Sequence, residues 1–128
     1  MKTKKKILIV DDEFVNLEYL DMMLSKNGYI VERACDGVEA LEKVKLFFPD
    51  IIILDNIMPR MSGSDVVKAL KADPQYINIP IIICSAVDDI EEKKACFKLG
   101  ITEYITKPFR FNKVLAIIKT ILRGTNGN

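Results

Sequence analysis

Five short blocks rich in Ile and Val, at residues 6–10, 29–34, 50–54, 81–85 and 102–106, alternate with longer amphipathic stretches along the chain. Strand-length blocks separated by helix-length ones predict a (βα)5 arrangement, because parallel strands need a crossover long enough to hold a helix. The first, third and fourth blocks are continuously apolar instead of alternating, the mark of strands covered on both faces. At 128 residues the chain has the length of one domain and removes roughly two-thirds of its unfolded surface from water, so one core suffices without staples. The expectation is an α/β, doubly wound fold, with a domain over residues 1–123 and a short polar tail over 124–128.

The intervening stretches carry helix signatures of their own. Phe14, Leu17, Leu20 and Leu24 fall on one stripe, with Gly28 as a stop. Asp36 with Glu39 reads as a capping box opening a second helix, whose inward face is Leu41, Val44 and Phe48 and which ends before Pro49. A third helix carries Val66, Ala69 and Leu70 and is ended by Asp73-Pro74; a fifth carries Val114, Ile117, Ile118 and Ile121. The fourth, near residues 89–99, has a weaker apolar stripe and stops at Gly100.

Composition narrows the chemistry. Lys plus Arg total 19 and Asp plus Glu 18, leaving +1, so no basic field of nucleic-acid scale is present and no direct nucleic-acid contact is expected. There is no histidine; imidazole bases and a phosphohistidine on this chain are excluded, and any histidine must come from a partner. Cys35, Cys84 and Cys96 are odd in number and lack CxxC spacing, which suggests neither a disulfide framework nor zinc, and points to a reducing cytoplasm. Cys84 and Cys96 read as small buried hydrophobes. Apolar runs such as Ile7 to Val10 are far below the ~20 residues of a membrane helix, and the basic residues 1–6 read as a solvated terminus.

In an open parallel sheet, ligands bind beyond the carboxyl ends of the strands, where the winding direction reverses. The residues there are Asp11, Asp12 and Glu13 after the first strand, Asp55 after the third, Ser85 after the fourth and Lys107 after the fifth. If the first and third strands are neighbours, the Asp11, Asp12 and Asp55 carboxylates converge, and like-charge repulsion calls for a bound proton or cation. Oxygen-only donors favour Mg2+. A carboxylate can also act as a covalent nucleophile, so Asp55, Lys107 and Ser85 suit the roles of phosphoryl acceptor, cation and hydrogen-bond donor. The plainer alternative is that Asp11 to Glu13 cap the first helix and Asp55 ends a strand.

The segments Ile7-Leu8-Ile9-Val10-Asp11-Asp12-Glu13, Leu54-Asp55 with Met58-Pro59 and Met61-Ser62-Gly63, Ser85-Ala86, and Tyr104 to Thr106-Lys107-Pro108-Phe109 resemble the receiver domain of two-component response regulators. The resemblance spans nearly the whole chain. It implies a CheY-like, flavodoxin-like sheet of strand order 2-1-3-4-5 and Asp55 as phospho-acceptor. It implies Mg2+ bound by Asp12, Asp55 and the Ile57 carbonyl, with Asp11 holding a metal-bound water. Lys107 would pair with the phosphoryl oxygens, and Lys107-Pro108 would be cis. The phosphodonor would be a phosphohistidine on a sensor histidine kinase or histidine phosphotransfer protein. Ser85 and Tyr104 would form the switch, with small Ala86 leaving room, and the readout would be a downstream protein at the face of the fourth helix, fifth strand and fifth helix, bearing Lys93, Lys98, Tyr104 and Lys113. Such a domain is not an enzyme, although it takes part in its own phosphoryl transfer and slow autodephosphorylation, and a homodimer on activation is compatible with it. No helix-turn-helix follows residue 122, so the effect is expected to be exerted on a partner.

Four positions depart from the family pattern. Ser85 replaces the commoner Thr, keeping the hydroxyl. Ile57 and Val87 are aliphatic where polar side chains often position hydrolytic water, so a long-lived phosphorylated form is expected. Asn56 occupies a position usually aliphatic or aromatic and has no reading from sequence. The competing functions are a phosphorylation-independent interaction module of the same fold, a nucleotide or flavin domain, which lacks its phosphate cradle after the first strand, and a haloacid-dehalogenase-like phosphatase, which would need a carboxylate at Ile57.

Overall fold

A computed structural model describes residues 3–125. The elements run β1 (Lys6–Val10), α1 (Phe14–Lys26), β2 (Ile30–Ala34), α2 (Gly37–Phe47), β3 (Ile51–Asp55), α3 (Gly63–Lys71), β4 (Ile81–Ser85), α4 (Ile90–Leu99), β5 (Glu103–Thr106) and α5 (Phe111–Thr125). All strand pairs are parallel and the sheet order is β2-β1-β3-β4-β5. The winding reverses between β1 and β3, which places a crevice over their carboxyl ends.

The continuous apolar strands are explained by two cores. Leu8, Val10, Ile52, Leu54, Ile81 and Ile83 face α2, α3 and α4, packing on Ala40, Val44, Val66, Val67, Leu70 and Cys96. Their alternates Ile7, Ile9, Ile51, Ile53, Ile82 and Ile105 face α1 and α5, against Leu17, Leu20, Leu24, Val114 and Ile118. The central strands β3 and β4 are buried throughout, whereas the edge strand β2 begins on an exposed Ile30. Ile82 has no exposed surface, so Ile82→Ala is expected to cost about 3–4 kcal/mol in transfer and cavity terms. Urea denaturation checks this as a lowered midpoint at unchanged slope.

Several helix details differ from the periodicity reading. Phe14 opens α1 but is 67% exposed, with the Arg33 guanidinium 5.8 Å from its ring centre; the stripe that docks is Leu17, Leu20 and Leu24. Phe48 lies beyond α2, at its C-cap with φ 52°, because the following Pro49 disfavours helical backbone. Its ring rests on Tyr76 at 5.4 Å, Ala40 joins Val44 on the inner face, and Leu41 is only partly buried. Ala69 is exposed and Val67 is buried instead, since α3 lies against both α2 and α4 and its covered face is broader than one stripe. Asp36 does accept from the Glu39 N–H at 2.8 Å, but the Glu39 carboxylate returns to the Cys35 N–H at 2.6 Å, one residue earlier than a capping box requires. The reciprocal box belongs to Ser62 and Asp65, opening α3.

Lys6 is no solvated terminal charge: its ammonium donates to the Phe47 carbonyl at 2.6 Å and its side chain is half-buried. Residues 1–2 of the basic run lie outside the described residues. So do residues 126–128 of the expected tail, and α5 reaches Thr125. Among the described residues no helix is long and apolar enough to cross a membrane. Cys84 and Cys96 are buried and Cys35 is exposed.

Candidate functional site

The strand-end residues meet because the strands carrying them are neighbours. Val10 of β1 pairs with Leu54 of β3, so the next residues, Asp11 and Asp55, emerge side by side. One carboxylate oxygen from each of Asp11, Asp12 and Asp55 lies within 4.8 Å of the others, Asp11 and Asp55 buried and Asp12 exposed. Lys107 enters from the end of β5, which is secured by its N–H on the Ser85 carbonyl at 2.7 Å. Its ammonium lies 3.0 Å from Asp11 Oδ2 and 3.7 Å from Asp55 Oδ2. The Lys107-Pro108 peptide is cis.

Asp11 bonds both its own loop and the end of β5. Oδ1 accepts from the Glu13 N–H at 2.9 Å, and Oδ2 accepts from Asn16 Nδ2 at 3.1 Å as well as from Lys107. The capping alternative is not what is seen: Asp11 bonds the N–H of Glu13, the residue before α1, and the Glu13 side chain makes no capping bond. Asp55 accepts only a long contact of 3.3 Å from the Ile57 N–H. Burial pushes the Asp55 carboxyl above its ordinary range; Lys107 opposes this, and the Asp11 and Asp12 charges add to it. Burial works to lower Lys107, but its hydrogen bond to Asp11 and the two carboxylate charges outweigh that and raise it. The lysine is thus held charged between two acids.

Three carboxylates against one lysine leave two negative charges in a largely buried pocket. Such an oxygen-only set, with no thiolate or imidazole among the converging side chains, fits a hard divalent cation such as Mg2+. Beside it a cavity of about 370 Å³ opens, lined among others by Tyr19, Leu20, Cys84, Lys107 and Phe109.

Ser85, the last residue of β4, is fully buried, and its Oγ accepts from the Val87 N–H at 3.2 Å. Tyr104 is also buried; its hydroxyl donates to the Val87 carbonyl at 2.8 Å. The two members of the expected switch are therefore held to one another through the Val87 backbone. Burial pushes the Tyr104 phenol up, the Ser85 hydroxyl working against it. Tyr104 stands apart from the carboxylates, on the side facing α4, where Lys93 approaches its ring at 5.8 Å. Ile57 is 59% exposed beside the acids, and Val87 is half-buried.

Asn16, which the sequence does not single out, and Asn56, which it leaves without a reading, take part. Asn16, one turn into α1, reaches back to Asp11; its only signal is the spacing that returns a first-turn side chain to the strand end. Asn56 is buried, with Oδ1 accepting from the Ser64 N–H at 2.9 Å and Ser64 Oγ at 3.0 Å, and Nδ2 donating to Glu92. Asn56 follows Asp55 and not the apolar run itself, and nothing in the local sequence signals these partners.

The family model described as the response regulator receiver domain matches residues 7–119. Response regulator MprA of Mycobacterium leprae is 42% identical over 120 residues, 94% of this chain and 52% of that protein. A probable transcriptional regulator, ycf27, of Guillardia theta is 38% identical over 126 residues, 98% of this chain and 48% of that one. The chain spans about half the length of these curated relatives. Among solved structures, the chemotaxis response regulator CheY4 of Vibrio cholerae is similar with TM-score 0.87 and 34% identity, over 93% of this chain and 99% of that one. The receiver domain of a signal transduction histidine kinase from Syntrophus aciditrophicus is similar with TM-score 0.87 and 32% identity, over 94% and 91% of the two chains.

Proposed function

The chain belongs to the response regulator receiver domain family of two-component systems, and from that premise we propose that it accepts a phosphoryl group on Asp55. The observation that carries this reading is the convergence of Asp11, Asp12 and Asp55 on one point with Lys107 shared between two of them. A strand end and a helix cap each need one such group; neither needs four. In the proposed step an Asp55 carboxylate oxygen attacks phosphorus, the P–N bond of a partner's phosphohistidine breaks, and the departing imidazole takes a proton from solvent.

Asp12, Asp55 and the Ile57 carbonyl would hold Mg2+, with Asp11 bonding a metal-bound water. When bound, the cation neutralises charge on the transferred phosphoryl oxygens. Lys107, already charged and aimed at Asp55, supplies the second positive partner for those oxygens. The Ser85 hydroxyl supplies a neutral donor from the neighbouring strand. Its movement toward the phosphoryl group gives up the Val87 N–H and changes the packing around Tyr104, which alters the face formed by α4, β5 and α5. That face is the proposed contact for a downstream protein.

The test is the intact mass of the protein after incubation with acetyl phosphate. One phosphoryl addition is expected with Mg2+ and none with chelator in excess. No addition under conditions where Mg2+ binding is shown by titration would favour the phosphorylation-independent interaction module instead.

A further inference from the structure

Of the ten residues of α4, only Cys96 is buried; Leu99 is partly buried against the core, and Ile90 and Phe97 are exposed. A helix with so little apolar anchoring depends on polar contacts to stay seated. Its first turn has one toward the acid pocket: Glu92 accepts from Asn56 Nδ2. Asn56 is 5% exposed and directly follows Asp55. Its carbonyl accepts from the Gly63 N–H at 2.9 Å, and its Oδ1 takes the Ser64 N–H and hydroxyl. One side chain thus joins the residue next to the acceptor, the start of α3 and the first turn of α4.

The loop has no slack at this point. A Cβ on Gly63 would lie 2.6 Å from the Asp55 carbonyl oxygen and 2.8 Å from Asn56 Cα, so α3 sits directly on the end of β3. A buried amide is tolerated only with its hydrogen bonds made, and among the described residues no buried side-chain polar atom lacks a partner.

We propose that Asn56 is a positioning residue which, through Glu92, holds the first turn of α4 to the end of β3 and so carries displacements of the Asp55 backbone into α4. The consequence for signalling rests on the receiver reading above; the tether itself does not. Loss of either partner leaves the other without its bond and lets the turn open.

Amide hydrogen exchange of the whole protein, followed in peptides spanning residues 90–99, tests this in wild type, Asn56→Val, Glu92→Ala and the double variant. Without Mg2+ or phosphodonor, each single change is expected to speed exchange of α4 about tenfold, the worth of one hydrogen bond to a charged group. The double variant is expected to be no faster than either single, as for one shared interaction. Alanine raises helix propensity, so faster exchange in Glu92→Ala cannot come from propensity. With Mg2+ and beryllofluoride, the change in α4 exchange seen in wild type is expected to be largely lost in both singles, which a purely structural role would not produce. Exchange of α4 in Glu92→Ala equal to wild type, or a double variant as fast as the product of the singles, would overturn the tether. Glu92 is half-exposed, so that comparison stands even where Asn56→Val does not fold. A wild type that responds to neither acetyl phosphate nor beryllofluoride would sink the phospho-acceptor reading, while the unmodified-state comparison still decides the tether.

Discussion

Asp55→Asn is expected to gain no phosphoryl mass under conditions that add one to wild type, and to melt at a higher temperature than wild type when no divalent cation is present. The first effect follows from the loss of the nucleophilic oxygen. The second follows from the electrostatics of the pocket. Burial, with Asp11 and Asp12, raises the folded-state pKa of Asp55 against the opposing Lys107. A group raised in this way favours folding while it is protonated, below its unfolded pKa, and loses that contribution as pH rises through its folded pKa. At neutral pH the wild type therefore carries an ionised carboxylate that the fold disfavours, and the neutral amide removes it. A gain of about 1 kcal/mol, or roughly 4 °C in Tm, is the expected scale. The difference should shrink as pH falls through the carboxylate range, because the wild type then protonates.

Added Mg2+ is expected to reverse the ranking. A cation bound only by the folded state stabilises by RT ln(1 + [L]/Kd), about 2.7 kcal/mol at a hundredfold excess over Kd. Wild type should rise steeply with added Mg2+, and Asp55→Asn, lacking one carboxylate of the cluster, only weakly. Differential scanning calorimetry of both proteins at pH 7 and at pH 4, with and without Mg2+, reads every comparison. A variant less stable than wild type in metal-free buffer at pH 7 would contradict the picture of a strained acid pocket.

The sheet was legible because five apolar blocks in a chain this short leave few alternatives, and three of them needed cover on both faces. Strand order was carried by the family motifs, since hydropathy alone does not say that β1 lies between β2 and β3. Helix faces were legible where one helix meets one sheet, as with Leu17, Leu20 and Leu24. They failed where the surroundings widen or end the face: Val67 is covered because α3 has a helix on either side, and Phe48 leaves α2 because of Pro49. The strand-end side chains of the site were readable because they stand where the strand blocks stop. Asn56 was not, since its partners lie 8 and 36 residues away and no periodicity links them.

Replacing Ile57 by Asn together with Val87 by Glu is expected to speed loss of the phosphoryl group about tenfold or more, a barrier lowered by roughly 1.4 kcal/mol. Hydrolysis needs a water held in line with the Asp55–phosphorus bond. Ile57, whose N–H contacts Asp55, and Val87, whose N–H contacts Ser85, carry aliphatic side chains that offer neither donor nor acceptor to hold it. An amide and a carboxylate there would supply both. The hydrogen bonds of Ser85 and Tyr104 to Val87 run through its backbone N–H and carbonyl, so they do not depend on its side chain. Ile57 is likewise exposed and leaves no cavity. The measurement is decay of radiolabelled protein after removal of donor, in excess Mg2+, for wild type, both singles and the double variant. Equal or slower decay in the double variant would show that the aliphatic pair does not set the lifetime, and would move the control of hydrolysis to Lys107 and the cation instead.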